Sequence, residues 1–347
     1  MKKYFFVLIF LAFSFTTFAQ IGGKEIFSFV NMPTNAKIVG LGGINISADA
    51  KDANAFTQNP SLQSAENQGV LSLNYINYYA NINQTSLAYG VQKNKFFLSA
   101  LGFQYVGYGD FSGFDASGNP TSGFSAKDMA LTASFSHQIK PFSMGLNAKL
   151  VSSSIDTYSS MGVLFDLGGT FIHPTNDFKI GLVIKNFGFN FSNYSPNGYN
   201  DKPFDVQIGF SFKPEKMPIR FSVTAHHLHQ LGKEYETYTT KILDAKGKES
   251  LKKLSNLEKG IRHFVIGIEF LFNPNFQLRA GYNFMQSGEL SIEQDSRIRG
   301  FSFGAMLKVK NFEIAVSRSL MHISGGFTSL TLSMNTKSFF KKKVIVE

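Results

Sequence analysis

The residues of this sequence best equipped for chemistry are its histidines. His226, His227 and His229 lie almost side by side. On a strand, His227 and His229 would share a face and His226 would point away, because side chains alternate. Two imidazoles begin a metal site, but no nearby carboxylate or cysteine completes a ligand set. The three therefore read as polar interior residues or headgroup-level contacts, and no metal is expected. His137, His173, His263 and His322 are isolated. Ser152-Ser153-Ser154 reads as a lumen face or rim, and no Gly-x-Ser-x-Gly occurs. The glycines around Gly40 lack the Lys-Ser/Thr of a phosphate loop. Asp49 with Asp52, and Glu289 with Glu293 and Asp295, are loop carboxylates. The chain has no cysteine, hence no thiolate nucleophile and no disulfide. No catalytic constellation can be assembled, so the chain is expected to be non-enzymatic and to carry no cofactor.

The elements that hold these residues repeat with a period of two. Phe301, Phe303, Ala305, Leu307 and Val309 alternate with Ser302, Gly304, Met306, Lys308 and Lys310. Phe178, Ile180, Leu182 and Ile184 alternate with Lys179, Gly181, Val183 and Lys185, and Ile219 to Ala225 behaves alike. Such alternation predicts strands. About fourteen runs follow, near 70–79, 85–92, 96–108, 127–139, 142–155, 161–173, 178–190, 204–214, 219–231, 261–274, 275–290, 298–310, 312–325 and 327–339. Most are longer than the soluble norm of about 5–6 residues and suit a tilted membrane strand of about 9–11. Connections on one side are tight, as at Lys140-Pro141, Asn273-Pro274-Asn275 and Lys310-Asn311. Several on the other are long: Gly109 to Ala126, Phe191 to Pro203, Gly232 to Gly260 and Gln286 to Arg297. That asymmetry, with an even strand count, predicts an all-β transmembrane antiparallel barrel of about 14 strands. A secreted sandwich or propeller would have shorter strands and no two-sided rhythm.

Composition agrees with export to a membrane. Lys2 and Lys3 precede an apolar run from Tyr4 to Phe15, and Thr17 and Ala19 place small residues before a cut at Gln20. This is the layout of a cleaved signal peptide over 1–19. No later run reaches the 18 or so apolar residues of a spanning helix. The 347 residues include 38 Phe and 13 Tyr but only 17% charged side chains, against about 25% in soluble domains. The formal charge is +10, and removing Lys2 and Lys3 leaves +8. An exported basic chain meets anionic lipopolysaccharide and membrane lipid rather than nucleic acid. The expected location is the bacterial outer membrane.

The domain plan is a signal peptide (1–19), an N-terminal plug or strap (20–69), a barrel (70–340) and a basic tail (341–347). The plug does not alternate, yet its Ile26, Phe27, Phe29, Ile38, Val39 and Leu41 call for burial. In the loop Gly232 to Gly260, which holds seven Lys and five acidic residues, Leu251, Leu254 and Leu257 sit three apart. That spacing predicts a short amphipathic helix, a solvated cap or a partner-docking element. Phe111, Phe114 and Phe124 stand in a Gly/Ser-rich loop, where a partner or the barrel rim would cover them.

The run Gly22-Gly23-Lys24-Glu25-Ile26-Phe27, continuing through Pro33, Ala36 and Lys37 to Leu41-Gly42-Gly43, with Asn59-Pro60 beyond it, resembles the opening of the PorQ family. Lys37 stands where arginine is more usual and Gly40 where alanine is. The family belongs to the outer-membrane type IX secretion system of Bacteroidetes. The pattern is shared with the PorV and FadL-like barrels, which have fourteen strands and an N-terminal plug. The resemblance implies a non-enzymatic barrel that anchors a surface-exposed secretion-system protein, PorZ-like, in the complex that attaches cargo to lipopolysaccharide. The alternative it implies is a FadL-like channel for hydrophobic compounds, with a lateral opening. A continuous apolar pocket beneath the N-terminal segment would favour the channel. Exposed apolar loop tips without one would favour the anchor.

Overall fold

The alternation is inverted relative to a soluble protein. On the first strand Leu71, Leu73 and Tyr75 are 37%, 47% and 44% exposed, while Ser72 and Asn74 between them are buried. Leaving one such side chain in water costs about 1.5–3 kcal/mol, and the pattern recurs around the molecule. It is relieved only in lipid, where a closed ladder is also required because no water can satisfy a free edge. The computed structural model describes residues 25–47, 52–91, 98–115, 117–194, 201–231, 241–243, 249–251, 255–289, 299–322 and 325–338. The signal peptide over 1–19, Gly22, Gly23, Leu254 and the basic tail over 341–347 lie outside the described residues.

The strands are β1 (Val70–Asn77), β2 (Asn83–Gly90), β3 (Leu98–Phe114), β4 (Pro120–Ile139), β5 (Phe142–Ile155), β6 (Tyr158–Ile172), β7 (Asp177–Ser192), β8 (Asp205–Lys213), β9 (Ile219–Ala225), β10 (Lys241–Leu243), β11 (Glu249–Leu251), β12 (Phe264–Asn273), β13 (Phe276–Asn283), β14 (Phe301–Val309), β15 (Phe312–His322) and β16 (Gly325–Asn335). Fourteen of them form one closed antiparallel barrel in which β1 pairs with β16; β9 pairs directly with β12, and β10–β11 is a separate hairpin. The predicted fourteen-stranded transmembrane barrel is therefore present. Exposed aromatics mark both ends of the strands. Phe142, Phe272, Phe276 and Phe312 ring the short-turn end, and Tyr158, Phe264 and Phe301 the loop end. These are the interfacial girdles of such barrels.

Three expectations need correction. The Gly109 to Ala126 loop is largely strand: β3 and β4 run on, paired, to Phe114 and Pro120. Ladder bonds override the Gly/Ser composition there. Second, 251–257 is not one helix. Leu251 ends β11, and helix α2 (Asn256–Ile261) starts after Ser255, which forms a capping box with Glu258. The cap satisfies the first helical N–H groups and fixes the start. Third, the run 275–290 is strand only to Asn283; Phe284–Glu289 is helix α3.

The hairpin tip and the short turns lie at opposite ends of the barrel, which gives a clean topology test in a chain without cysteine. Ser117→Cys is expected to react with an impermeant maleimide in intact cells, and Asn275→Cys and Lys310→Cys are not. Reversed labelling would invert the orientation.

Candidate functional site

The inward faces of the strands hold the N-terminal segment. The described residues of 25–67 are mostly irregular, with one short helix, α1 (Ala36–Val39), and several 3-10 turns. Irregular backbone has no ladder, so its buried polar groups need other partners. Lumen side chains supply them. Gln84 and Ser86 donate to the carbonyls of Pro33 and Thr34, Gln104 to that of Phe29, and Asn147 to that of Phe56. Ser143, Ser211 and Asn283 donate to the carbonyls of Ser61, Ser47 and Gly42. The Ala36 N–H donates to Thr331 Oγ1 at 2.8 Å. This is why the interior is Ser, Asn and Gln rather than aliphatic.

Several described residues of the N-terminal run and of Asn59-Pro60 are contact points. Phe27, Ala36 and Leu41 are buried, as is Pro60. Gly42 has φ +91°, the left-handed region that glycine adopts without penalty. Opposite, Gly281 of β13 touches the Leu41–Gly42 backbone so closely that a Cβ would collide with it. Gly43 follows, also at positive φ. Asn59 caps its own turn by accepting from Ser61 N–H and donates to Ile46 O and Thr170 Oγ1.

A cavity of about 510 Å³ lies beneath this segment near the short-turn end, bounded by Asn273 and Pro274. It is not apolar. Arg220 pairs with Asp177 at 3.0 Å and Glu269 at 3.3 Å, and Glu269 also accepts from Arg279 Nε at 3.1 Å. Lys37 reaches Glu313 of β15 and lies 3.9 Å from Asp52. Burial works against the Lys37 charge, but Asp52 and then Glu313 outweigh it and hold the ammonium above its ordinary range. Sequence reasoning missed this network, although the period-two pattern already puts Arg220 on the face of Ser222 and Thr224. Lys37 thus joins segment to wall.

The loop-end half of the lumen is different. Ile26, Phe27, Phe29 and Val30 pack against inward Val106, Ala130, Val151 and Leu164 of β3 to β6. Beside this cluster the wall changes. Pairing of β7 with β8 ends at Lys185–Asp205, whereas β7 continues to Ser192 against β6. Among the described residues, Phe187 to Ser192 have no ladder partner on the β8 side. A bulge marks the point: Asn186 has positive φ, its N–H donates to Asp166 Oδ1, and its amide bridges Asn31 Oδ1 and Pro203 O. Glu25 pairs with Asp201 at the same place, with Ile26 N–H donating to Asp201 O at 2.9 Å.

The remaining sequence-derived candidates are scattered. Phe111 and Phe124 stack across the β3–β4 hairpin at 5.1 Å, and Phe114 is 65% exposed at its tip. Leu257 is exposed on α2. The histidines depart most from expectation. The strand does not run through them: β9 ends at Ala225, His226 adds one more ladder bond, to His263 O, and His227 is left-handed at φ 54°. That turn converges His226 and His227 instead of separating them, and Asp205 at the start of β8 joins them. The carboxylate that the sequence did not offer is supplied by the neighbouring strand.

No family model matches the chain, and neither does any curated protein sequence. Among solved structures it is similar to the toluene transporter TbuX of Ralstonia pickettii, with 12% identity, a TM-score of 0.49, and 88% of this chain and 98% of that one covered. The toluene transporter TodX of Pseudomonas putida gives 12%, 0.49, 87% and 96%. The KdgM porin gives 8%, 0.34, 76% and 98%. Similarity at this level says nothing of what the present chain carries.

Proposed function

We propose that this chain is an integral outer-membrane channel of the FadL-like kind, passing small hydrophobic compounds. The observation that supports it is the interrupted β7–β8 ladder beside an apolar interior cluster. A solute entering at the loop end meets Ile26, Phe27 and Val30, and its sideways exit into lipid lies beyond the Lys185–Asp205 pair, beside Phe187 to Ser192. The charged cavity beneath the segment is a poor place for it, since burying those ionised groups against an apolar molecule is costly. Passage is therefore confined to the loop-end half, and residues 25–67 close the rest to water.

A second reading, the type IX anchor for a PorZ-like surface protein, draws on the hairpin of Phe111, Phe114 and Phe124. A few such apolar anchors carry most of an interface's energy, about 2 kcal/mol or more each. One pair of measurements separates the readings. In the channel, cells with the wild-type barrel take up radiolabelled toluene several-fold faster than cells without it, and Phe111→Ser/Phe114→Ser/Phe124→Ser matches wild type. In the anchor, uptake is the same with or without the barrel, and the triple variant loses a co-purifying surface protein and attaches less cargo. Uptake unchanged by the barrel overturns the channel.

A further inference from the structure

We propose that Asp205, His226 and His227 bind one divalent transition-metal ion, zinc by preference, at the loop-end junction of β8 and β9. Their ligand atoms all lie within 4.8 Å of one another. His226 Nδ1 faces His227 Nδ1 at 2.5 Å, closer than the roughly 2.7–3.2 Å of an ordinary N–H···O bond. His227 Nδ1 is 3.9 Å from Asp205 Oδ2. Around a tetrahedral zinc with bonds of about 2.0–2.2 Å, neighbouring ligand atoms stand about 3.3–3.5 Å apart. The two distances straddle that value. Two imidazoles and a carboxylate with a position left over for water is a zinc ligand set, and imidazole also suits copper and nickel.

The surroundings hold the three groups in place. Asp205 Oδ1 accepts the His227 backbone N–H at 2.6 Å, and its Oδ2 accepts Gln207 Nε2 at 2.7 Å. Such outer hydrogen bonds orient metal ligands. His226 extends the β9–β12 ladder by one residue, donating its N–H to His263 O at 2.9 Å, and its ring is buried. Its Nε2 has no hydrogen-bond partner among the described residues. His227 keeps a left-handed backbone that is uncommon outside glycine, and the result is that both rings turn to one carboxylate. The cation nearest in the ladder is Lys185, paired across from Asp205; its ammonium donates to Thr57 O at 3.3 Å, and its charge lies within electrostatic reach of Asp205 and His227. Bound there, an ion would tie the first residue of β8 to the end of β9. The inference is independent of what the barrel transports.

The test uses the full-length barrel in detergent, purified on a tag without histidine, stripped with chelator and titrated with cobalt(II), then competed with zinc(II). The expected result is one ion per chain with the visible absorption of four-coordinate cobalt. Asp205→Asn and His227→Gln are each expected to weaken binding at least tenfold while the protein remains heat-modifiable on gels. His226→Gln should do the same; because that ring is buried, His227→Gln carries the test if it misfolds. His173→Gln, remote from the site, is the control and should bind as wild type does. Absence of stoichiometric binding, or equal binding by Asp205→Asn and His227→Gln, overturns the proposal. So does an equal loss in His173→Gln.

Discussion

Lys37→Met is expected to cost about 3–5 kcal/mol, because it removes one partner of a buried ion pair and leaves Glu313 and Asp52 uncompensated. The Lys37 side chain is only 11% exposed, so little water is available to take over. The measurement is equilibrium urea unfolding in lipid vesicles, with proteolysis of residues 25–67 as a local reporter. Lys37→Arg keeps the charge and should cost far less. Adding Glu313→Gln to Lys37→Met should recover part of the loss, since one orphaned carboxylate is gone and Asp52 remains; a cycle of this kind isolates the pair. The pH dependence follows from the raised affinity of Lys37 for its proton. A group that holds its proton more tightly when folded stabilises the fold fully below its unfolded value, about 10.4 for lysine. That contribution fades as the pH rises through the higher folded value. Wild type should therefore loosen in strong alkali by a step that Lys37→Met lacks. A loss below about 1 kcal/mol in Lys37→Met would show that the network is solvated rather than buried.

Gly281→Leu should displace the N-terminal segment from the lumen. Ordinary overpacking costs about 1–3 kcal/mol because side chains can shift. Here the obstacle is the Leu41–Gly42 backbone, with Gly42 already at a φ that allows little adjustment. The cheaper outcome is for the segment to leave β13. In planar bilayers Gly281→Leu is expected to show a much larger ionic conductance than wild type while remaining heat-modifiable. Gly169→Leu is the control, because a Cβ at Gly169 meets nothing within 4 Å. Equal conductance in wild type and Gly281→Leu would mean that the segment does not close the lumen.

Much of the barrel was legible because lipid enforces a two-residue period. The run 142–155 matches β5 to the residue, bounded by Lys140-Pro141 and by Asp156 at positive φ. Failures came where pattern and backbone part company. The predicted run 219–231 carries on past Ala225, but His227 turns left-handed and the strand has already ended. The Gly/Ser stretch at 109–126 looked like loop, although β3 and β4 pair with each other there and ladder bonds outweigh propensity. The ion network could have been found by asking which charges face inward: Arg220, Glu269 and Arg279 all fall on lumen positions. The meeting of Asp205 with His226 and His227 was not legible, because it depends on the register of β8 against β9 and on one residue's φ.

The hydrogen bonds that hold residues 25–67 come from almost the whole ring, from Gln84 on β2 through Ser143 on β5 and Ser211 on β8 to Thr331 on β16. The segment also precedes β1 in the chain, and β1 meets β16 to close the ring. It is therefore a mandrel as much as a stopper. A ring completed without it would have to admit forty-odd residues end-on through a lumen already at its final width, so the productive order is for the strands to wrap the segment and for the β1–β16 seam to seal last. Barrel assembly is then timed by its first-translated part, and a lesion at the Leu41-Gly42-Gly43 contact would first be seen as slow seam closure, before any change in the finished wall.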